Sequence, residues 1–119
     1  MRLLGYVTNS YKFSLIKDAH VLLMPSIWCE NNPLTIIESF AFAKPIVTFN
    51  ICGQSEIVNV SKGGVTAKYL DVEDYAEKIA LLIHDHSLYR DLCINAGEFF
   101  KKELNPFKYR DKLIKLYLT

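Results

Sequence analysis

Two glutamates, Glu30 and Glu38, stand eight residues apart on either side of a predicted helix start. Asn32 is a favourable N-cap residue, and Pro33 suits the first helical position because its missing N–H would be unpaired there anyway. One carboxylate therefore lies just before the helix. The other lies about one and a half turns inside it.

The first helical residues after Pro33 should carry backbone N–H groups that no preceding turn can accept. We expect those of Leu34 and Thr35 to point out of the helix start, with the positive end of the helix dipole behind them. Such a helix start binds anions. With carboxylates nearby, it suits a ligand with a negative centre and hydroxyl groups on both sides. A nucleotide-diphosphate sugar has that form.

The segments around this helix start resemble the donor-binding half of group 1 glycosyltransferases, retaining enzymes of the GT-B fold that carry two glutamates separated by seven residues. Pro25 and Ser26 precede the pair, and residues 39–47 continue the likeness. Residues 2–7 resemble a strand of that half-domain, and residues 53–58 resemble its loop of glycine followed by glutamate. The resemblance covers nearly the whole chain.

The resemblance implies different roles for the two glutamates. Glu38 would accept hydrogen bonds from the ribose hydroxyls of the donor, for which a carboxylate is a suitable partner. Glu30 would hold a hydroxyl of the transferred sugar and stabilise charge at the reacting centre, without a covalent role, and is the candidate catalytic residue. The alternative for both is an ordinary solvent-exposed carboxylate.

Further donor contacts are implied in the same stretch and in two flanking segments. The expected donor-binding residues besides Glu38 are Ser26, Asn31, Asn32, Leu34, Thr35, Gly53, Tyr6 and Val7. Gly53 would let the backbone approach the ligand, and Tyr6 and Val7 would hold the base. Plain helix capping is the alternative for the two asparagines. Trp28 could stack on a sugar ring or pack inside the protein.

Two positions depart from the family pattern. Cys52 stands where the first of two glycines is common, and Ala43 replaces a usual glycine after the motif helix. If Ala43 adopts a left-handed conformation, we expect a cost of about 1 kcal/mol.

No group of histidine, cysteine and acidic residues has the spacing of a metal site, so we expect neither metal nor cofactor, with the nucleotide sugar as substrate. The family's arginine and lysine contacts to the diphosphate come from a segment before the first strand. Arg2, Lys12 and Lys17 do not stand in the matching places. We therefore expect a fragment, most of the C-terminal donor-binding domain of a longer enzyme whose N-terminal acceptor-binding domain is missing. Alone, it should bind nucleotide weakly and have no transferase activity.

Length and composition indicate one domain over residues 1–119, half of them hydrophobic, with a net charge of +1. This balance gives no reason to expect nucleic acid as a partner. The three cysteines, Cys29, Cys52 and Cys93, predict reduced thiols and a cytoplasmic location. We also expect peripheral membrane association of the parent enzyme and self-association through exposed faces of the first and last helices.

Strand and helix patterns alternate, which predicts an α/β fold: a Rossmann-like parallel sheet of about four strands flanked by helices, half of a GT-B fold, with an all-helical last third. The predicted strands are 3–7, 20–24, 45–49 and 64–67. The predicted helices are 10–18, 33–42, 54–58, 71–85 and 87–104, with a last one from 106. Ligands bind at the carboxyl ends of such strands, where Glu30 and Glu38 follow.

Apolar residues at helical spacing predict which side of a helix faces the core. The expected core-facing residues are Tyr11, Leu15 and Ile16 on the first helix, Leu34, Ile37, Phe40 and Ala41 on the second, and Tyr75, Ile79, Leu82 and Ile83 on the fourth. Asp71 or Val72 should begin the fourth helix, and Ser87 should cap the fifth.

Three other functions compete with a transferase. A flavodoxin-like or receiver-type binding module would need an acidic cluster or a phosphate loop after the first strand, and residues 7–9 offer neither. A phosphorylase or epimerase of the same fold would need a cofactor lysine or an acidic histidine in the crevice. A structural interaction domain would tolerate the loss of Glu38, whereas a transferase would not.

Overall fold

A computed structural model describes residues 1–119. Its elements alternate in type until the last three, which are all helices. In chain order they are α1 (Asn9–Asp18), β1 (Leu22–Met24), α2 (Leu34–Ala41), β2 (Ile46–Phe49), α3 (Cys52–Ser61), β3 (Gly64–Ala67), α4 (Val72–His84), α5 (His86–Glu103) and α6 (Pro106–Leu118).

The three strands form one parallel sheet in the order β1-β2-β3. Leu22 pairs with Ile46, and Ile46 pairs with Gly64, so the strands start level with one another. All four residues of β2 are buried, as expected for a central strand covered on both faces. The carboxyl ends of all three strands therefore lie along one edge of the sheet.

Helices cover both faces of this sheet. Ile46 packs with Ile36 and Phe40 of α2 and with residues of α3 and α5. Val47 and Phe49 point to the opposite face, where they pack with α4 and with Leu92 of α5. The predicted α/β class is confirmed, and the sheet gains its stability from two apolar layers.

The predicted first strand, residues 3–7, is wrong. Residues 1–8 have no regular secondary structure, and the sheet has three strands rather than about four. Gly5 has a φ of 64°, a left-handed conformation that interrupts an extended run. Tyr6 is fully exposed as a result, and Val7 is half-buried.

The helices form where they were predicted, with three differences in how they begin. Asn32 does not cap α2, because Pro33 occupies the N-cap position. Ser87 does not cap α5, because the Asp85 carboxylate accepts the Leu88 N–H there. The short turn expected at 54–58 is a ten-residue helix that starts at Cys52. By contrast, Asp71 caps α4 as predicted, accepting the N–H of Asp74.

The buried face of α2 differs from the predicted one. Ile36, Ser39 and Phe40 are buried, whereas Leu34 is 70% exposed and Ala41 is also exposed. Of the α2 residues predicted to face the core, only Phe40 is among the buried ones. The start of α2 consequently presents its first turn to solvent.

The last helix has no buried residue, and its apolar side chains are exposed except that of Leu113, which is half-buried. Of the predicted apolar points on α1, only Ile16 is buried. Ile83, expected on the core face of α4, is about half exposed. None of the helices is long and apolar enough to cross a membrane.

A left-handed residue ends α2. Ala43 has a φ of 52°, and its N–H bonds the Phe40 carbonyl while the Lys44 N–H bonds that of Ser39. This pair of hydrogen bonds is a Schellman motif, which usually takes glycine at the Ala43 position. Ala43 therefore adopts the left-handed conformation for which we expected a cost of about 1 kcal/mol.

Replacement of this alanine by glycine should stabilise the protein. We expect Ala43→Gly to raise the free energy of unfolding by about 0.5–1 kcal/mol, because relief of the left-handed strain exceeds the extra entropy of an unfolded glycine. Urea unfolding followed by circular dichroism measures the change. Ala76→Gly, on an exposed position inside α4, is the matched control and should lower the same free energy by about 1 kcal/mol. A loss of stability in Ala43→Gly would contradict the assignment.

Two tyrosines make the fold sensitive to alkaline pH. The Tyr75 hydroxyl donates to the Val47 carbonyl oxygen at 2.8 Å, and that of Tyr89 donates to the His20 carbonyl oxygen at 2.8 Å. Burial raises the pKa of each hydroxyl from 10 to about 12. Between those values the folded chain keeps protons that the unfolded chain has lost.

Stability should therefore be complete below pH 10 and fall as the pH rises towards 12. Urea midpoints at pH 9, 10 and 11 test this expectation. Tyr75→Phe should show a shallower decline than the native chain, although it starts less stable because it lacks the Val47 bond. Equal slopes in the two proteins would show that Tyr75 does not cause the decline.

Candidate functional site

The segment between β1 and α2, residues 25–33, is here called the glutamate loop. It leaves the carboxyl edge of the sheet, where ligands bind in folds of this type. The Ser26 hydroxyl accepts the Trp28 N–H and donates to Oε1 of Glu30, both at 3.4 Å. Glu30 is exposed, and Trp28 is 78% exposed, so Trp28 is not a core residue.

The start of α2 is open. Neither Leu34 nor Thr35 donates its backbone N–H to any group of the chain, and no side chain caps the helix. Both residues are exposed, as are Asn31 and Asn32 before them. Two unpaired donors at the positive end of a helix dipole can receive an anion from solvent.

Glu38 is paired with a lysine of another helix. The Nζ atom of Lys12 on α1 lies 2.8 Å from Oε1 of Glu38, and the two side chains are 35% and 24% exposed. Lys12 was expected to stand outside the site, and the fold places it against the motif glutamate. One oxygen of Glu38 is engaged, and the other has no partner within the chain.

The expectation of three reduced cysteines is wrong. Cys29 in the glutamate loop is bonded to Cys52 at the start of α3, and only Cys93 is free. An odd cysteine count favoured free thiols, but the fold brings two positions 23 residues apart together at the carboxyl edge of the sheet. The same bond ties the two segments that the family resemblance had singled out.

Gly53 is required by the packing of the chain itself. A Cβ atom at this position would overlap the carbonyl group of Asn31, so the two backbones touch. This close approach to the glutamate loop was not predicted from the sequence. Gly53 thereby determines where Asn31 lies.

Two residues that the sequence did not single out also hold the glutamate loop. Gln54 is fully buried, and its Nε2 atom donates to the carbonyl oxygen of Ser26 at 3.1 Å and to Oγ1 of Thr48 at 3.3 Å. The Tyr69 hydroxyl donates to the Ile27 carbonyl oxygen at 3.2 Å. The only sequence signal for Gln54 was its position directly after Gly53.

The predicted residues do not all come together. Ser26 bonds Glu30, and Gly53 packs on Asn31. Leu34, Thr35 and Glu38 lie on α2, directly after this loop. Tyr6 and Val7 belong to the irregular segment 1–8. Neither Glu30 nor Glu38 lines a cavity of the protein. Among the predicted site residues only Asn32 lines a cavity, which is a cleft of about 230 Å³. The site is an open surface rather than a pocket.

The histidines take structural or solvent-exposed positions. His20 stacks on Tyr89 with ring centroids 3.9 Å apart, and its Nε2 atom lies 3.2 Å from the Leu82 carbonyl oxygen. His84 and His86 are exposed. No group of three histidine, cysteine or acidic side chains could hold a metal ion.

Comparison with known proteins places this site in context. The family model of glycosyl transferases group 1 matches residues 1–99. The chain belongs to the group 1 glycosyltransferase family. The resemblance read from the two glutamates and their flanks is thereby confirmed, which argues against the alternative of a flavodoxin-like or receiver-type binding module.

Two curated members of the group 1 glycosyltransferases illustrate the relationship. An N,N'-diacetylbacillosaminyl-diphospho-undecaprenol alpha-1,3-N-acetylgalactosaminyltransferase of Campylobacter jejuni is 31% identical over 84 residues, which are 71% of this chain and 22% of that protein. An uncharacterised glycosyltransferase of Methanocaldococcus jannaschii is 30% identical over 102 residues, or 86% of this chain and 29% of that protein. The chain thus spans less than a third of these relatives.

A solved structure shares the fold. The crystal structure of Anabaena Alr3699/HepE in complex with UDP-glucose superposes with a TM-score of 0.79 at 17% identity, over 87% of this chain and 28% of that chain. At this identity the likeness establishes a GT-B type of α/β fold for the matched region.

Proposed function

We propose that this chain is the donor-binding part of a retaining group 1 glycosyltransferase, which binds a nucleotide-diphosphate sugar at the start of α2. In this interaction the unpaired N–H groups of Leu34 and Thr35 donate to the diphosphate. Their openness is the observation that carries the assignment, since a helix start closed by its own loop could not act in this way. The UDP-glucose bound to Alr3699/HepE supports a donor of this class.

Glu38 binds the ribose through its carboxylate. Its oxygen that has no partner in the chain accepts a ribose hydroxyl, while Lys12 holds the other at 2.8 Å. The lysine charge also reduces the repulsion between Glu38 and a diphosphate nearby. A charge-assisted hydrogen bond of this kind contributes about 1.5–3 kcal/mol.

Glu30 is the catalytic residue of the proposed reaction. It is exposed at the tip of the glutamate loop, with Ser26 orienting one of its oxygens. There it holds a hydroxyl of the transferred sugar and stabilises the positive charge that develops at the anomeric carbon as the diphosphate departs. The side-chain amides of Asn31 and Asn32, with Ser26 and the backbone near Gly53, complete the sugar contacts, and Tyr6 and Val7 contact the base.

The parent enzyme transfers a hexosyl group to a glycan or lipid-linked acceptor, without metal or cofactor, in polysaccharide biosynthesis. Its acceptor is held by a second, N-terminal domain, and the basic contacts to the diphosphate come from a separate segment before the first strand of the donor-binding domain. The enzyme associates peripherally with a membrane. Residues 1–119 act as one nucleotide-sugar-binding domain and self-associate when alone. We also propose a cytoplasmic location for the enzyme. The expectation of three reduced cysteines no longer supports this location, because Cys29 and Cys52 form a disulfide.

Calorimetry with UDP and GDP tests the donor-binding role on the chain itself. The site is an open surface, and it has no arginine or lysine in the places where the family contacts the diphosphate. We therefore expect weak binding of one or both nucleotides and no transfer from UDP-glucose. Submicromolar affinity or measurable turnover would show that residues 1–119 hold the whole site. No binding of either nucleotide, even by the more sensitive NMR titration, would refute the donor-binding role.

A further inference from the structure

The Cys29–Cys52 disulfide joins the glutamate loop to the start of α3 across the candidate donor site. Both cysteines are exposed, so a thiol in solution can reach the bond. Neither has a role in the sugar chemistry proposed above. Exposed disulfides have higher reduction potentials than structural ones and are the labile, regulatory or catalytic ones.

The disulfide holds a part of the glutamate loop that few other contacts reach. The hydrogen bonds from Gln54 and Tyr69 fix the carbonyl groups of Ser26 and Ile27, at the beginning of the loop. Beyond Trp28, no hydrogen bond joins the loop to α3, whereas the disulfide and the packing of Gly53 on Asn31 do connect them. Glu30, Asn31 and Asn32 follow directly on Cys29. Their positions therefore depend on that bond more than on hydrogen bonds.

We propose that the Cys29–Cys52 pair is a reversible thiol–disulfide site that sets the affinity of the chain for its nucleotide-sugar donor. The oxidised form keeps residues 29–32 beside the start of α2. Reduction frees this half of the loop. Binding of the donor must then order the loop, and the entropy lost in doing so lowers the affinity. The inference rests on the proposed donor-binding function.

The co-reactant is a dithiol, either a small molecule or a dithiol oxidoreductase. One of its thiolates attacks a sulfur of the Cys29–Cys52 bond, forming a mixed disulfide, and the other cysteine leaves as a thiolate that takes up a proton. The second thiol of the reductant then displaces the first cysteine. Two electrons and two protons pass to the chain, and the reductant becomes an intramolecular disulfide. Cys93 lies on α5 and takes no part.

The experiment compares the native chain before and after treatment with dithiothreitol, with thiols counted by alkylation and mass spectrometry. We expect the dissociation constant for UDP, from an NMR titration, to rise about three- to tenfold on reduction. Hydrogen exchange should become faster at residues 29–32 and stay unchanged in β1. Cys93→Ser should respond like the native chain. The double variant Cys29→Ser/Cys52→Ser should behave like the reduced chain at all times.

The possible results separate the two claims. Equal UDP affinity of the oxidised and reduced chains would overturn the thiol–disulfide site and leave the donor-binding role intact. No UDP binding by either form would overturn both. A reduced chain that loses its circular dichroism signal would show a bond needed for folding rather than for the donor site, which also contradicts the inference.

Discussion

Glu38→Ala should weaken the binding of UDP by about 10- to 150-fold, because it removes a charged acceptor for ribose that contributes about 1.5–3 kcal/mol. The change should depend on the ribose. Native chain should bind UDP more tightly than 2′-deoxy-UDP, and Glu38→Ala should bind the two equally. NMR titrations of both proteins with both nucleotides measure this interaction free energy directly.

The ion pair with Lys12 allows the binding role of Glu38 to be separated from a structural one. The pair is partly exposed, so its loss should cost no more than about 1 kcal/mol of folding stability. Lys12→Met should lose the same stability as Glu38→Ala but keep the preference for ribose. If Lys12→Met abolished that preference equally, Glu38 would serve only to join α1 to α2, and the ribose assignment would be wrong.

Gly53→Ala should destabilise the chain by about 1–3 kcal/mol and displace the glutamate loop, because the new methyl group overlaps the carbonyl group of Asn31. Since the backbone rather than a flexible side chain stands in the way, the loop has to move. We expect UDP affinity to fall at least about tenfold as Asn31 and Asn32 leave the helix start.

Gly64→Ala is the matched control for this variant. Its Cβ would overlap the Ile46 carbonyl oxygen, a similar clash at the amino end of the strands and so at the opposite edge of the sheet. It should lose comparable stability in urea unfolding while the folded protein keeps its UDP affinity. If both variants bind UDP as the native chain does, the position of the glutamate loop does not determine binding.

The elements of the fold could be predicted where their pattern was long and regular. The α4 helix has a cap at Asp71 and apolar residues at helical spacing, and it forms as expected. Residues 3–7 have an apolar pattern too, but Gly5 turns the backbone left-handed and no pairing with β1 forms. Local propensity cannot decide such a case, since an edge strand depends on its partner.

The buried face of α2 shows the limit of periodicity. This helix carries two apolar stripes, one through Leu34 and Ile37 and the other through Ile36 and Phe40. Both have helical spacing. Only the packing of Ile36 and Phe40 on β2 and α5 selects the second stripe, and this follows from tertiary structure.

The candidate site was predictable in type but not in its supports. The two glutamates and the helix start between them were visible in the sequence, and the open N–H groups of Leu34 and Thr35 agree with that prediction. The ion pair joins Lys12 to Glu38, which are 26 positions apart in the sequence, and the disulfide joins Cys29 to Cys52, which are 23 positions apart. Contacts at such separations follow no local rule and depend on where the fold brings α1 and α3.

The most direct test of the donor site is a titration of the nitrogen-15-labelled chain with UDP-glucose, followed through the backbone amide resonances. Direct hydrogen bonds to the diphosphate should shift the resonances of Leu34 and Thr35 most, with smaller shifts at Glu38 and Asn31. UDP-glucose could instead shift resonances elsewhere, such as in the cleft that Val60 of α3 forms with Asn95 and Phe99 of α5. If it did so and left Leu34 and Thr35 unchanged, the helix start would not be the donor site.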